Sequence, residues 1–186
     1  SGERYRIVSE SAAVGVFALL QRRPVVVSST GRVTVDGLRP DRFDGARSAR
    51  DARRVNAEFD WGNATLSLAY DGKTERFELP PGTQDRLSIM YQFMFFDYGG
   101  RRELVFAMTN GRKLDRYRYT VTHDVEIDTP LGRMSTLHLV KQRDPDDTET
   151  EIWLAPQYRY LPVRMVIVES DGVRYEQLMT SIDAQP

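Results

Sequence analysis

The 186-residue chain contains no cysteine. A disulfide framework, a thiolate nucleophile and a cysteine-bound zinc ion are therefore excluded. The chain also has no apolar run near the roughly 18 residues that a membrane-spanning helix needs. Charge of one sign is not in excess either, because 26 basic residues stand against 27 acidic ones. This balance gives no electrostatic reason to expect nucleic acid as a partner.

Recognised catalytic motifs are also absent. The chain has no Gly-x-Ser-x-Gly elbow, phosphate-binding loop or dinucleotide fingerprint. Glu58 and Asp60 lie two apart on a predicted strand and so share a face, where paired carboxylates could serve glycoside chemistry. Surface charges at a strand end explain this pair as well. We therefore expect a protein that is not an enzyme and that uses no cofactor.

The chain has only two histidines, His123 and His138. If Asp128 opposes Arg133 across the turn between their strands, the same register places the two imidazoles opposite each other, with Cβ atoms about 4.5–5.5 Å apart. Such a pair could share a metal ion. No acidic residue falls on that face to act as a third ligand, so we expect packed histidines and no metal site. A register slip of one residue would separate the pair.

Hairpin signals dominate the sequence. Asp71-Gly72, Asn110-Gly111 and Asp171-Gly172 each lie between apolar alternating segments, which predicts two-residue turns between antiparallel strands. In the first hairpin, opposing residues 70 and 73 places Leu66 against Phe77 on one buried face. Further strands are predicted at 4–12, 25–35, 41–47, 55–61, 152–154, 160–169 and 173–182.

Two helices are predicted between these strands. One is short and apolar, at Val14–Arg22. The other runs from about Gln84 to Tyr98, with Thr83 or Asp85 as its cap, and it is apolar on most sides, which indicates burial. Because no β-α-β rhythm occurs, the sequence predicts a mainly β protein with a minor α+β character. We expect a single domain over residues 1–186, with a curved antiparallel sheet or open β-barrel of hairpins around the buried helix.

Six short segments carry a resemblance to a known family. They are Gly37-Leu38-Arg39-Pro40, Phe59-Asp60-Trp61, Gln84-Asp85-Arg86-Leu87-Ser88, Asp128-Thr129-Pro130-Leu131-Gly132, Ile152-Trp153-Leu154-Ala155-Pro156 and Tyr160-Leu161-Pro162-Val163-Arg164. In this order they resemble the bacterial family called domain of unknown function 3108. The family is itself distantly similar to the Lol lipoprotein carriers, whose open β-barrel holds acyl chains under a helical lid.

The resemblance implies several expectations about the cell biology of the chain. Family members are exported, usually to the periplasm, so a signal peptide is expected in the precursor. Ser1-Gly2 is typical of residues left by a cloning vector. Family members also tend to carry another hairpin before the segment that starts here at Glu3, so an N-terminal hairpin is expected to be missing.

Two functional hypotheses follow. The first is a periplasmic binding or carrier protein for a lipid, acyl chain or other hydrophobic ligand, because Met adapts its shape to irregular apolar ligands, although an ordinary core helix would have the same composition. Its predicted cavity is lined by Met90, Tyr91, Met94, Phe95, Tyr119, Val121, His123, Met134 and His138. The second is an interaction module of the cell envelope that binds a protein and no small ligand. Its predicted partner surface comprises Trp153, Tyr158 and Tyr160, although in a terminal strand such aromatics more often close a core.

Overall fold

The computed structural model describes residues 3–11, 25–46, 54–142 and 147–183. Ser1-Gly2 and the predicted helix at Val14–Arg22 lie outside these residues. Of the described residues, 64% lie in strands and 7% in helices, arranged as two curved sheets of which one is a half-barrel. The predicted mainly β class is therefore confirmed. Within the described ranges, no helix has the length and apolar character that crossing a membrane requires.

The chain divides into two compact units. Unit 1 comprises residues 1–92 and 106–116, and unit 2 comprises residues 93–105 and 117–186. The first sheet lies in unit 1 and follows the order of the chain. Its strands are β1 (Arg4–Ser11), β2 (Val25–Thr34), β3 (Gly37–Ala46), β4 (Val55–Asp60), β5 (Thr65–Tyr70) and β6 (Lys73–Glu78).

The second sheet has seven strands, in the order β13-β12-β11-β10-β9-β8-β7. These are β7 (Gln84–Asp85), β8 (Glu103–Thr109), β9 (Leu114–Thr129), β10 (Gly132–Lys141), β11 (Glu149–Ala155), β12 (Leu161–Val168) and β13 (Arg174–Leu178). Helix α1 spans Ser88–Gln92, and single 3-10 turns follow at Phe93–Phe95 and Pro156–Tyr158. Among the described pairs, only β7 and β8 run parallel, over two residues.

The first hairpin has the predicted register. Tyr70 opposes Lys73 and Leu66 opposes Phe77, because the Asp71-Gly72 turn sets the pairing and alternation selects the buried face. Leu66 and its neighbour two positions on, Leu68, are fully buried. They pack in the core of unit 1 with Val27, Phe43, Ala57, Phe59 and Leu79.

The other two predicted turns are longer than two residues. β8 ends at Thr109 and β9 begins at Leu114, because the side chains of Thr109 and Asn110 form hydrogen bonds with backbone groups of the loop. The Asn110 carboxamide oxygen accepts hydrogen bonds from the N–H groups of Arg112 and Lys113 at 2.9 and 3.1 Å. The hydroxyl of Thr109 donates to the carbonyl of Lys113 at 2.8 Å. After Asp171-Gly172, β13 begins only at Arg174.

The predicted helix over Gln84–Tyr98 is wrong in length. Gln84 and Asp85 pair as a short strand with Met108 and Thr109, so their backbone is extended. The cap prediction at Asp85 agrees with the structure, since its carboxylate accepts the N–H groups of Leu87 and Ser88 at 2.8 and 2.9 Å. The hydroxyl of Ser88 accepts the N–H of Asp85 in return at 2.9 Å, which is a reciprocal capping arrangement.

The register between β9 and β10 changes part of the way along the hairpin. Arg133 opposes Asp128 as predicted, but a shift between Thr136 and His138 places His138 opposite Thr122. The prediction that His123 and His138 oppose each other is therefore wrong. The cause is a bulge in which His123 and Asp124 together oppose one residue, with Asp124 at a φ of 57°, in the left-handed region that such bulges use.

This bulge gives a test in unit 2. A β-branched residue at a left-handed position is strained, so Asp124→Val is expected to lower the free energy of unfolding by about 1–2 kcal/mol. Asp128→Val on the same strand serves as the control, because Asp128 has ordinary extended geometry and is exposed. Urea unfolding of both variants measures the difference. Equal costs for the two substitutions would show that the bulge does not hold Asp124 in that conformation.

Candidate functional site

The last residue of α1 binds the turn between β2 and β3 in unit 1. The carboxamide oxygen of Gln92 accepts the N–H of Leu38 at 2.6 Å, and its NH₂ group donates to the carbonyl of Asp36 at 2.9 Å. Gly37 lies between these two residues at a φ of 106°, and a Cβ built there would stand 2.2 Å from the Gln92 oxygen. Glycine is therefore required for both the backbone conformation and the close approach.

A second buried carboxamide lies at the start of the same segment. The NH₂ group of Gln84 donates to the carbonyls of Leu38 and Gly82, at 2.9 and 3.1 Å. Its carboxamide oxygen is buried and has no hydrogen-bond partner among the described residues. An unpaired buried acceptor costs free energy, so the Gln84 oxygen is a locally destabilising feature of unit 1.

The carboxylate of Asp85 is fully buried next to this carboxamide in sequence. It accepts a hydrogen bond from the hydroxyl of Ser29 at 2.6 Å, and the Ser29 oxygen is in turn 3.0 Å from the hydroxyl of Tyr5. Burial raises the pKa of Asp85, against the hydrogen bonds from Ser29, Ser88 and Leu87, which lower it. Burial also raises the pKa of Tyr5 well above its usual range. The network joins β1 and β2 to the start of α1.

Gln84 and Gln92, but not Asp85, line a partly open cavity of about 330 Å³ in unit 1, within the range of small-ligand sites. The ring N–H of Trp61 donates to the carbonyl of Pro40 at 2.6 Å, which orients the indole in the cavity wall. The lining is mixed in character. It consists of Thr34, Asp36, Leu38, Arg39, Trp61, Ala64, Leu79, Pro81, Gly82, Gln84 and Gln92.

A larger open groove of about 630 Å³ shares Arg39 and Trp61 with this cavity. The Arg39 guanidinium carbon lies 5.0 Å from the centroid of the Trp61 ring, a cation–π distance. Phe59 stacks beside the indole at 6.0 Å. The remaining residues that line the groove are Arg32, Asp41, Arg42, Glu58, Asp60 and Gly62.

The residues of the predicted ligand cavity do not line either of these two spaces. Met90 and Tyr91 belong to unit 1, where Tyr91 is exposed and Met90 is half-buried. The other seven belong to unit 2, in which Phe95 is exposed and Met94, His123 and His138 are half-buried. Tyr119, Val121 and Met134 are buried there.

The predicted partner surface lies in unit 2. Trp153 is 7% exposed and packs in a core cluster with Met134, Ala155, Val163 and Val166. Tyr158 and Tyr160 are half-buried, and the ring of Tyr160 lies 4.5 Å from that of Tyr98. Trp153 therefore closes a core, as the more usual interpretation of such aromatics expects.

The two histidines have separate partners within unit 2. His138 lies 2.7 Å from a carboxylate oxygen of Glu151 and stacks on Trp153 at 4.4 Å. His123 lies 2.9 Å from the carbonyl of Arg101. Among the described residues, no group of three or more His, Asp or Glu side chains is placed to hold a metal ion.

Sequence reasoning missed the residues that line the cavity, although part of the signal was present. Arg39, Trp61 and Gln84 each belong to a segment that carries the family resemblance, and the segments are far apart in the chain. Glutamine at two positions of an apolar segment was a further signal, because a polar side chain in a buried helix needs partners. Neither signal shows that the segments meet, which depends on long-range contacts.

The fold and the cavity together define a mainly β protein built of hairpins, with a candidate binding site whose buried polar groups are largely carboxamides. The family model described as "Protein of unknown function (DUF3108)" matches residues 1–178, and the chain belongs to this family. The predicted family is thus confirmed. No curated protein and no solved structure gives a significant match to the chain.

Proposed function

We propose that the protein is a non-catalytic binding or carrier protein for a hydrophobic or amphipathic ligand of the cell envelope. The observation that carries this proposal is the 330 Å³ cavity, whose apolar wall includes Leu38, Trp61 and Leu79. Withdrawing apolar ligand surface from water onto this wall contributes about 25 cal/mol per Å².

The two buried carboxamides of the cavity favour binding over catalysis. Gln84 and Gln92 are held by backbone partners, and a carboxamide neither releases nor takes up a proton near neutral pH. Neither histidine lines the cavity. Its chemistry therefore suits the recognition of a ligand, and the proposal includes no covalent step and no cofactor.

The cellular part of the proposal rests on the family resemblance. Export to the periplasm, a signal peptide in the precursor and a likeness to the Lol carriers belong together as one hypothesis about the environment of the protein. An envelope lipid or free acyl chain is the ligand class available there. Fractionation of cells that express the full-length precursor tests the location separately from ligand binding.

Blocking the cavity is expected to weaken binding. Ala64 lines the cavity, is exposed and has a φ of 49°, so Ala64→Trp adds bulk to the cavity wall without replacing a core side chain. We expect the affinity for an apolar fluorescent dye, and the ability of a fatty acid to displace it, to fall at least about fivefold, or roughly 1 kcal/mol.

The matched control is Thr74→Trp, which adds the same side chain at an exposed position of β6 that lines neither space. Dye titration of both variants and extraction of lipid from the purified protein are the measurements. A wild-type protein that binds no dye and carries no lipid would contradict the proposal. If both variants lose the same amount of binding, the dye does not bind in this cavity.

A second candidate function is an interaction module that binds another envelope protein. It is favoured by β13, the terminal strand of its sheet, in which all five described residues are exposed. An edge strand can pair with an extended segment of a partner. Pull-down from envelope extract, with Leu178→Pro as the variant that removes an outward-facing N–H from the edge, distinguishes this candidate from the first.

A further inference from the structure

Arg39 differs from the other two arginines of the groove in its partners. Arg42 is paired with Asp44 and Glu58 at 2.6 and 3.0 Å, and Arg32 lies 3.7 Å from Asp41. Within the described part of the chain, the Arg39 guanidinium makes no ion pair with a carboxylate, and its contact is the face of Trp61 at 5.0 Å. Stacking on an indole holds a guanidinium in place while its N–H groups stay available.

The carboxylates of the groove already have donors. Asp41 and Glu58 are paired with Arg32 and Arg42. Asp60 accepts two hydrogen bonds from Asn63, from its backbone N–H at 3.0 Å and its carboxamide at 2.8 Å, and these bonds lower the pKa of Asp60. Of the three arginines that line the groove, Arg39 is therefore the one without a carboxylate partner among the described residues, while Asp60 is held by neutral donors.

The position of Arg39 connects this cation to the apolar cavity. Arg39 and Trp61 line both the open groove and the smaller cavity. An anion bound by Arg39 lies where the two spaces meet, and an apolar tail attached to it can reach the wall formed by Leu38, Trp61 and Leu79.

We infer that the ligand is an anionic amphiphile, whose oxyanion head, a carboxylate or a phosphate, is bound by Arg39. This inference rests on the proposed function and specifies its ligand class. Planar guanidinium groups match both oxyanions through paired N–H donors. Arg39 then decides specificity for the charged head, while the cavity supplies affinity for the tail irrespective of charge.

The test compares three ligands with the same tail, namely dodecanoate, dodecyl phosphate and dodecanol, each below its micelle concentration. Isothermal titration calorimetry measures their affinities for the wild-type protein. We expect at least one of the two anions to bind about tenfold or more tightly than the alcohol, as charged hydrogen bonds contribute. The anion that shows the larger preference identifies the head group.

Arg39→Gln is expected to abolish this preference and to leave the affinity for dodecanol within about twofold of the wild-type value. Arg76→Gln is the matched control, because it removes the same charge from an exposed position of unit 1 that lines neither space. It should keep the preference. Melting curves of both variants check that the fold is retained.

Three results would overturn the inference. If the wild-type protein binds all three ligands equally, the inference of a head-group site is wrong but the proposed function stands. The same holds if the preference for the anion survives Arg39→Gln. Wild-type protein that binds none of the three removes the inference and the proposed function together. The two failures are therefore distinguishable in one set of titrations.

Discussion

Gly37→Ala is expected to lower the free energy of unfolding by about 3 kcal/mol or more. Two causes act together. A φ of 106° is strained for alanine, and the new Cβ would stand 2.2 Å from the carboxamide oxygen of Gln92. Moving that carboxamide breaks its bonds to Leu38 and Asp36, which leaves a buried donor unpaired. Urea unfolding measures the loss.

The two causes can be separated with a matched glycine. Gly72 also has a positive φ, of 77°, but a Cβ built there meets nothing within 4 Å. Gly72→Ala is therefore expected to cost only the backbone strain, about 1 kcal/mol. If Gly37→Ala is no more costly than Gly72→Ala, the close approach of Gln92 to the β2–β3 turn does not stabilise the protein.

The double variant Gly37→Ala with Gln92→Ala tests the same contact directly. Removing the Gln92 side chain takes away the group that the new Cβ meets, so the cost of Gly37→Ala should shrink in this background. The expected coupling is about 1–2 kcal/mol, typical of residues in contact. Strictly additive costs would mean that the two residues do not interact.

Asp85→Ala is the second substitution with a large expected effect, a loss of about 3–5 kcal/mol in the free energy of unfolding. The fully buried carboxylate accepts hydrogen bonds from Ser29, Leu87 and Ser88. Alanine leaves all three donors without this acceptor and removes the cap of α1. Ser67→Ala, a half-buried strand position in the same unit, is the control for loss of a small polar group. Urea unfolding compares them.

Asp85 also predicts how stability depends on pH. Burial raises the pKa of this carboxyl in the folded protein above the usual aspartate value, about 3.9. Its contribution to stability is then fully present below pH of about 3.9 and is lost as pH rises through the raised folded pKa. The free energy of unfolding of the wild type minus that of Asp85→Asn should therefore fall as pH increases across this window.

This pH dependence has a clear contrary outcome. If the hydrogen bonds from Ser29, Leu87 and Ser88 outweighed burial, the folded pKa would lie below 3.9 and the stability difference would rise with pH. Denaturant melts of the wild type and Asp85→Asn from about pH 3 to pH 8 distinguish the two signs. Asp85→Asn retains the shape of the side chain, so its melts report on the charge.

The local parts of the fold were predictable from residues close together in the chain. The Asp71-Gly72 turn and the alternation on either side of it predict that Leu66 opposes Phe77, and the structure has this pairing. The same reasoning identified most strands of both sheets. One error came from a local hydrogen bond that competes with strand pairing. The side chain of Asn110 accepts a hydrogen bond from the loop backbone, so the next strand begins only at Leu114.

Two larger errors have causes that side-chain alternation does not show. Gln84 and Asp85 are not helical, contrary to the prediction, because their backbone pairs as a strand with Met108 and Thr109, more than twenty positions away. The predicted histidine pair failed because Asp124 adopts a left-handed conformation and adds a residue to one strand. Aspartate tolerates that conformation without requiring it, so alternation alone carries no sign of the bulge.

The amino-acid sequence by itself determined the class of fold and the first hairpin register, because turn chemistry and side-chain alternation act over a few residues. It also identified the family. Only the tertiary structure decided the candidate site, since Leu38 and Gln92 meet across 54 positions. Which buried carboxamide finds which backbone group depends on the packing of whole strands, and no local pattern encodes that choice.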